Sequence, residues 1–175
     1  MHRCRDLSVL ESEFRRKILP VKPLIDKLRV LERRDVAFDI GAGTGYFTVH
    51  LANLFRKVYA VEVNPEAVRI LCSKGLRNVG IILSERPPEV DFEVDFVLFA
   101  DSLHEIENKD CYAEWVKRHA RAFAVIDWKP NECKDFGPPL KHRIDEKEVF
   151  RLFDNFKLER VEVYKCHFFI FGIKE

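Results

Sequence analysis

The residues best suited to chemistry lie in one short stretch, Asp39-Ile40-Gly41-Ala42-Gly43-Thr44-Gly45. Glycines let a backbone turn sharply and meet a ligand with no Cβ in the way. A helix starting just beyond them presents unpaired N–H groups. A dinucleotide site uses Gly-x-Gly-x-x-Gly and seats a pyrophosphate on those groups. Here the spacing is Gly-x-Gly-x-Gly, and Tyr46 follows, a poor neighbour for a pyrophosphate. Asp39 would repel a phosphate and pair an ammonium. Glu62 follows Gly45 by 17 residues, at the end of a second apolar run. A carboxylate there can accept from both hydroxyls of a ribose, and Val63 offers an apolar face to a base. Asp39, Gly41, Ala42, Gly43, Gly45, Tyr46, Glu62 and Val63 thus describe a site for a ribose, a base and an ammonium without a pyrophosphate. S-adenosylmethionine is such a ligand.

A second ligand needs a second set of groups, and open α/β sheets bind ligands beyond the carboxyl ends of their strands. Three clusters fall at such ends. Asp101, His104 and Glu105 form the first; His104 titrates near neutrality and can remove a proton, or the cluster simply opens a helix. His104-Glu105 is not a zinc motif, because position 108 is Asn, and no metal site is expected. Asp127-Trp128-Lys129 form the second, either a surface turn or a wall in which Trp128 meets an aromatic acceptor and Lys129 an acidic one. The third is the loop from Phe136 to Arg143, whose His142 and Arg143 can face a substrate. The catalytic candidates are therefore Asp101, His104 and His142, and the substrate-binding ones Trp128, Lys129, His142 and Arg143. Methyl transfer from a sulfonium needs positioning, and needs a base only where the acceptor loses a proton.

These groups must be held by the elements between them. Val36–Ile40, Val58–Val63, Val79–Leu83, Val94–Ala100 and Ala122–Ile126 read as strands, the fourth apolar enough to be buried on both faces. Tyr46–Phe55, the segment from Asn64 to about Lys74, Asn108–His119 and Asp145–Phe153 read as helices. Asn64-Pro65-Glu66 carries an N-cap, a first-position proline and a first-turn acid, and Gly75 ends that helix. Lys157–Tyr164 and His167–Ile173 read as an antiparallel hairpin turning at Lys165 and Cys166. The alternation argues a parallel sheet covered on both faces. Phe153, Phe156, Phe168, Phe169 and Phe171 read as core. Residues 1–34 read as a helical segment, broken at Pro20 and Pro23, packed on a domain of residues 35–175. Its Arg15, Arg16, Lys17, Arg29, Arg33 and Arg34 form a solvated face or a basic lid near an anionic substrate.

Val36–Phe47 resembles the first motif of class I S-adenosylmethionine-dependent methyltransferases, and Val61–Pro65 their second. Phe99-Ala100-Asp101-Ser102-Leu103-His104-Glu105-Ile106 resembles the motif after strand four in the small-molecule branch that includes the ubiquinone and menaquinone biosynthesis methyltransferases. The resemblance runs from about Val36 to the end of the chain. It implies an α/β, Rossmann-like, seven-stranded, mostly parallel sheet of order 3-2-1-4-5-7-6, with the last strand antiparallel and helices on both faces. It implies that the Gly41–Gly45 loop holds the methionine part of the cofactor, that Glu62 holds its ribose, and that S-adenosylhomocysteine is the product. Ser84 or Glu85 stands where the family meets the adenine amine, and Asp101 adjoins the cofactor. Pro87 and Pro88 leave little room for the family's helix between strands three and four. The Asn-Pro-Pro-Tyr type of motif seen in enzymes that methylate base amines is replaced by Asp101-Ser102-Leu103-His104. A small-molecule acceptor is thus expected, with an RNA or protein methyltransferase and a non-catalytic cofactor-binding subunit as alternatives.

Bulk properties frame this. The chain has 175 residues, 34% charged and 47% apolar, with net charge +1, a soluble single-domain balance with no general affinity for phosphate backbones. Met1–Arg5 runs into charge, unlike a signal peptide, and no apolar run reaches membrane-span length. Five cysteines, Cys4, Cys72, Cys111, Cys133 and Cys166, are scattered singly, which predicts reduced thiols in a cytoplasm. The absence of Gln and the many Lys, Arg and Glu lean towards a thermophilic source.

Overall fold

The computed structural model describes residues 6–174. Cys4 and the charged start read above as no signal peptide lie outside the described residues. Seven strands form one sheet in the order β3-β2-β1-β4-β5-β7-β6. They are β1 (Val36–Ile40), β2 (Lys57–Glu62), β3 (Val79–Leu83), β4 (Val94–Ala100), β5 (Ala120–Trp128), β6 (Lys157–Arg160) and β7 (His167–Ile173). The first five pair in parallel, and β7 is antiparallel to both β5 and β6. The expected strand order and mixed sense are therefore present.

Strand geometry explains the two cores, because alternate side chains leave opposite faces of a sheet. Phe38, Ile40, Val97, Phe99, Phe123, Val125, Phe168 and Ile170 point to one face. There they meet α5 (Lys109–His119) and α6 (Glu146–Leu152) through Tyr112, Val116, Val149 and Leu152. Ala37, Phe96, Leu98, Ala124, Phe169 and Phe171 point to the other. That face is covered by α2 (Lys22–Leu28) and α3 (Thr48–Ala52) through Leu24, Leu28 and Leu51. The remaining helices are α1 (Glu13–Ile18) and α4 (Pro65–Ser73). Asn64 caps α4 by accepting from the N–H groups of Glu66 and Ala67, and Gly75 follows its end at φ +62°. No helix lies between β3 and β4, where the indole N–H of Trp115 donates to the Pro88 carbonyl at 2.7 Å.

Two expectations are corrected. The connection between β6 and β7 spans residues 161–166, not a two-residue turn. Side-chain and backbone demands from elsewhere open it: Tyr164 donates its hydroxyl to the Pro20 carbonyl at 2.9 Å, and Lys129 Nζ donates to the Tyr164 carbonyl at 3.0 Å. The second correction concerns thiols. Cys133 and Cys166 are joined in a disulfide across 33 residues, with Cα atoms 5.6 Å apart. Single cysteines far apart in sequence carry no trace of this pairing, which the fold creates by laying the loop after β5 against the start of β7. Cys72 and Cys111 are free and exposed. Among the described residues no helix is long and apolar enough to cross a membrane.

Candidate functional site

The carboxyl ends of the parallel strands open into one cavity of about 930 Å³. At one end lie Asp39, the Gly41–Thr44 turn, Glu62, Val63, Asn64, Ser84 and Glu85. The turn is built by the protein's own packing. Gly41 has φ +73°, and a Cβ there would stand 2.4 Å from Ser102 Cβ; Gly45 has φ +96°, and its Cβ would stand 2.4 Å from Leu71 Cδ1. Only glycine satisfies both conditions. Ser102 locks the approach by donating its hydroxyl to the Ile40 carbonyl at 2.6 Å. The backbone then reaches across to β2. Glu62 is buried, and its carboxylate accepts from the N–H groups of Gly43 at 2.7 Å and of Val63 and Asn64 at 2.8 Å each. Asp39 is buried behind the turn and accepts from the Thr48 hydroxyl at 2.6 Å. Burial, aided by the charge of Glu62 and opposed by Thr48, pushes its carboxyl up to about 6.

At the other end the groups come from distant segments. Asp101 has φ +53° and donates its N–H to the Ile126 carbonyl at 2.8 Å. Its carboxylate lies 3.0 Å from His167 Nε2 and 3.2 Å from Arg15 Nη2. Burial works against its charge, but His167 and Arg15 prevail and hold the carboxyl below the ordinary range. Beside it, His104 Nδ1 donates to Asp127 Oδ1 at 2.7 Å, and the His104 N–H donates to Asp127 Oδ2 at 3.1 Å. Burial disfavours the imidazolium, yet Asp127, Asp101 and Glu105 outweigh it and push His104 up to about 9. Burial, with Glu62, Asp127 and Asp101, pushes Glu105 up to about 7 against the pull of His104.

A strap of residues 7–15 adds to the wall. Leu7, Val9, Leu10 and Arg15 line the cavity. Glu11 pairs with Lys74 at 2.7 Å, and Phe14 packs edge-on against Phe136 at 4.9 Å.

The model for a family described as "Methyltransferase domain" matches residues 38–122. A crystal structure of an S-adenosylmethionine-dependent methyltransferase from Aquifex aeolicus superposes with a TM-score of 0.84, 27% identity and 97% of each chain covered. The matched segment and the fold are those of class I S-adenosylmethionine-dependent methyltransferases. A putative type 11 methyltransferase from Sulfolobus solfataricus superposes with a TM-score of 0.74 and 28% identity, covering 87% of this chain and 92% of that one. Among curated proteins, a probable cobalt-precorrin-6B C(15)-methyltransferase (decarboxylating) from Methanothermobacter thermautotrophicus is 46% identical over 50 residues, 29% of this chain. The match spans about a quarter, 26%, of that relative's length.

Within this methyltransferase domain the structure separates the candidate residues. Asp39, Gly41, Ala42, Gly43, Tyr46, Glu62, Val63, Ser84, Glu85, Asp101, His104 and Trp128 all line the cavity. Gly45 supports the turn from behind, against Leu71. His142 is exposed and is not among the lining residues, although its N–H donates to the carbonyl of Pro139, which is. Arg143 is buried and turned from the cavity; its guanidinium donates to the carbonyls of Lys129, Glu132, Cys133, Phe136 and Pro138. It therefore shapes the loop of residues 129–138 and is not among the cavity's lining residues. Lys129 is likewise spent on the Tyr164 carbonyl. Trp128 is pinned beneath Gly137, whose added Cβ would stand 2.9 Å from the ring. The expectation that His104 titrates near neutrality is corrected by its carboxylate surroundings. Sequence reasoning missed the roles of His167, Asp127 and Ser102, and saw Arg15 only as one basic residue among several. No local pattern marks them, because each acts on a residue tens of positions away.

Proposed function

We propose that this methyltransferase moves the methyl group of S-adenosylmethionine to a small-molecule acceptor and releases S-adenosylhomocysteine. The carrying observation is the single cavity of about 930 Å³ that joins the glycine turn to Asp101, His104 and Trp128. This volume sits high in the usual range for ligand pockets, roughly 300–1,000 Å³, and accommodates a second ligand beside the cofactor. A binding-only subunit has no use for that space.

The residues fit the cofactor. Asp39 pairs its ammonium, the Gly41–Thr44 turn carries its methionine part, Glu62 takes the ribose hydroxyls, Val63 faces the base, and Ser84 or Glu85 meets the adenine amine. The sulfonium supplies the methyl group, and the protein supplies placement. His104 is the catalytic candidate of choice, because its ring is oriented and lines the cavity.

A small acceptor is favoured over RNA or protein because the strap and Gly137, Pro138 and Pro139 add to the wall of the cavity. Half of the basic residues named in the N-terminal segment are spent within the chain: Arg15 on Asp101, Arg33 on Asp35, Glu93 and Asp95, Arg34 on the Arg29 carbonyl. The name of the curated relative, a precorrin methyltransferase, points the same way. A cytoplasmic location rests on the free thiols of Cys72 and Cys111, and has the Cys133–Cys166 bridge against it, although intracellular proteins of hyperthermophiles do carry disulfides.

Calorimetric titration tests the cofactor assignment. S-adenosylmethionine should bind in the micromolar range or tighter, NADH should not bind, and Asp39→Ala and Glu62→Ala should each weaken binding at least tenfold. Unchanged binding in both variants would sink the assignment.

A further inference from the structure

The cavity holds a charge arrangement that the cofactor assignment alone does not use. Asp127 is the penultimate residue of β5, is fully buried, and accepts three bonds: from the His104 N–H, from His104 Nδ1, and from the Trp128 N–H at 2.8 Å. It thereby fixes both the backbone turn and the ring of His104. A Nδ1–H that donates to a carboxylate leaves Nε2 as the atom that exchanges protons. That nitrogen is directed past Glu105, whose Oε1 lies 3.9 Å away, too far for a hydrogen bond. The His104 side chain is only 5% exposed but belongs to the cavity wall.

Other charged groups face this pair from each neighbouring element. Asp101 stands after β4, held by Arg15 of α1 and His167 of β7; Glu105 shares the turn; Glu62 at the end of β2 faces Glu105. On the cofactor reading above, a sulfonium must enter the same cavity. Two unit positive charges sharing a site of these dimensions repel enough to weaken proton affinity by about tenfold to a hundredfold.

We infer that Asp127 and His104 form the proton-accepting dyad of the reaction, Asp127 as its positioning residue, and that the imidazolium gives up its proton when S-adenosylmethionine binds. The freed Nε2 then takes the proton of an acceptor X–H. The lone pair of X forms the new bond to the methyl carbon as the sulfur–methyl bond breaks, and that electron pair stays on sulfur as the neutral thioether. One positive charge leaves with the first proton, one arrives as sulfonium, and the reaction hands it to the imidazole. The cavity keeps the same net charge throughout, and the acceptor belongs to the class of nucleophiles that must lose a proton.

The test is titration of the whole protein with S-adenosylmethionine and S-adenosylhomocysteine at pH 8, in two buffers of different ionisation enthalpy. At that pH Asp39 and Glu105, pushed up to about 6 and 7, have ionised, so His104 is the proton source. The sulfonium ligand should release about half a proton or more, and the thioether none. The affinity ratio of the two ligands should rise about tenfold between pH 7 and 9. Asp127→Asn and His104→Gln should each abolish the release, whereas Glu105→Gln should keep it; a purely structural dyad would move none of these readouts. If both ligands bind with the same pH dependence and no proton appears, the inference is overturned and the cofactor reading stands. If neither binds, the cofactor reading fails and takes the inference with it.

Discussion

The two ends of the cavity are held by different means. The glycine end is fastened by backbone: the Ile40 carbonyl to Ser102, and the N–H groups of Gly43, Val63 and Asn64 to Glu62. Its residues lie at or just beyond the ends of four adjacent strands, β3, β2, β1 and β4. The acceptor end is fastened by side-chain charges and a covalent link, drawn from α1, the turn after β4, the loop after β5 and the first residue of β7. A backbone-built pocket tolerates change in its surroundings, and a pocket made of long-range ion pairs does not.

That contrast is breakable, and the largest effect should come from the disulfide. Reducing Cys133–Cys166 frees a 33-residue loop in the unfolded chain, a loss of about 3–4 kcal/mol on the loop-closure account. Denaturant unfolding of oxidised and reduced protein measures this. S-adenosylmethionine affinity should change less than about threefold; a larger change would show that the two ends are coupled. Next, Arg143→Lys keeps the charge but loses the fork that gathers five carbonyls, for about 2 kcal/mol. Hydrogen exchange should quicken in residues 129–138 and stay slow in residues 39–45.

A smaller effect belongs to pH. Asp39, raised to about 6 by burial and Glu62, protonates as pH falls through that value and loses its hold on an ammonium. Affinity for S-adenosylmethionine should therefore drop about tenfold from pH 7 to pH 5, and Asp39→Asn should flatten the profile at the weak level. Smallest is Arg15→Ala, which unlatches the strap from Asp101. Stopped-flow dissociation of the cofactor should quicken about fivefold, equivalent to about 1 kcal/mol. An unchanged rate would remove the strap from the cofactor's path.

The same contrast explains what the amino-acid order reveals. The cofactor end was legible because Asp39, Gly41, Gly43 and Gly45 are neighbours and Glu62 ends the next strand. The alternating apolar runs gave a parallel sheet with an antiparallel edge, and the strand order came from the resemblance of Val36–Phe47 and Val61–Pro65 to the family's motifs. Even there the physical reason shifted: Gly41 and Gly45 are glycine because Ser102 and Leu71 leave no room for a Cβ. The acceptor end resisted. Lys129, His142 and Arg143 have the chemistry to bind a substrate, but tertiary packing spends Lys129 and Arg143 on carbonyls and leaves His142 outside the cavity wall. Asp101 and His104 were legible as residues, but their ionisation depends on Arg15, Asp127 and His167, which only the folded chain brings near.

The strap also sets an order of assembly. Its anchors lie far along the chain: Arg15 on Asp101, Phe14 on Phe136, and the Pro20 carbonyl beneath the Tyr164 hydroxyl, 144 residues away. On the ribosome the strap emerges before any of them. Its partners become available in turn, Lys74 and Asp101 well before Phe136 and Tyr164. The wall that the strap adds to the cavity is therefore completed by residues from four separate stretches of the chain.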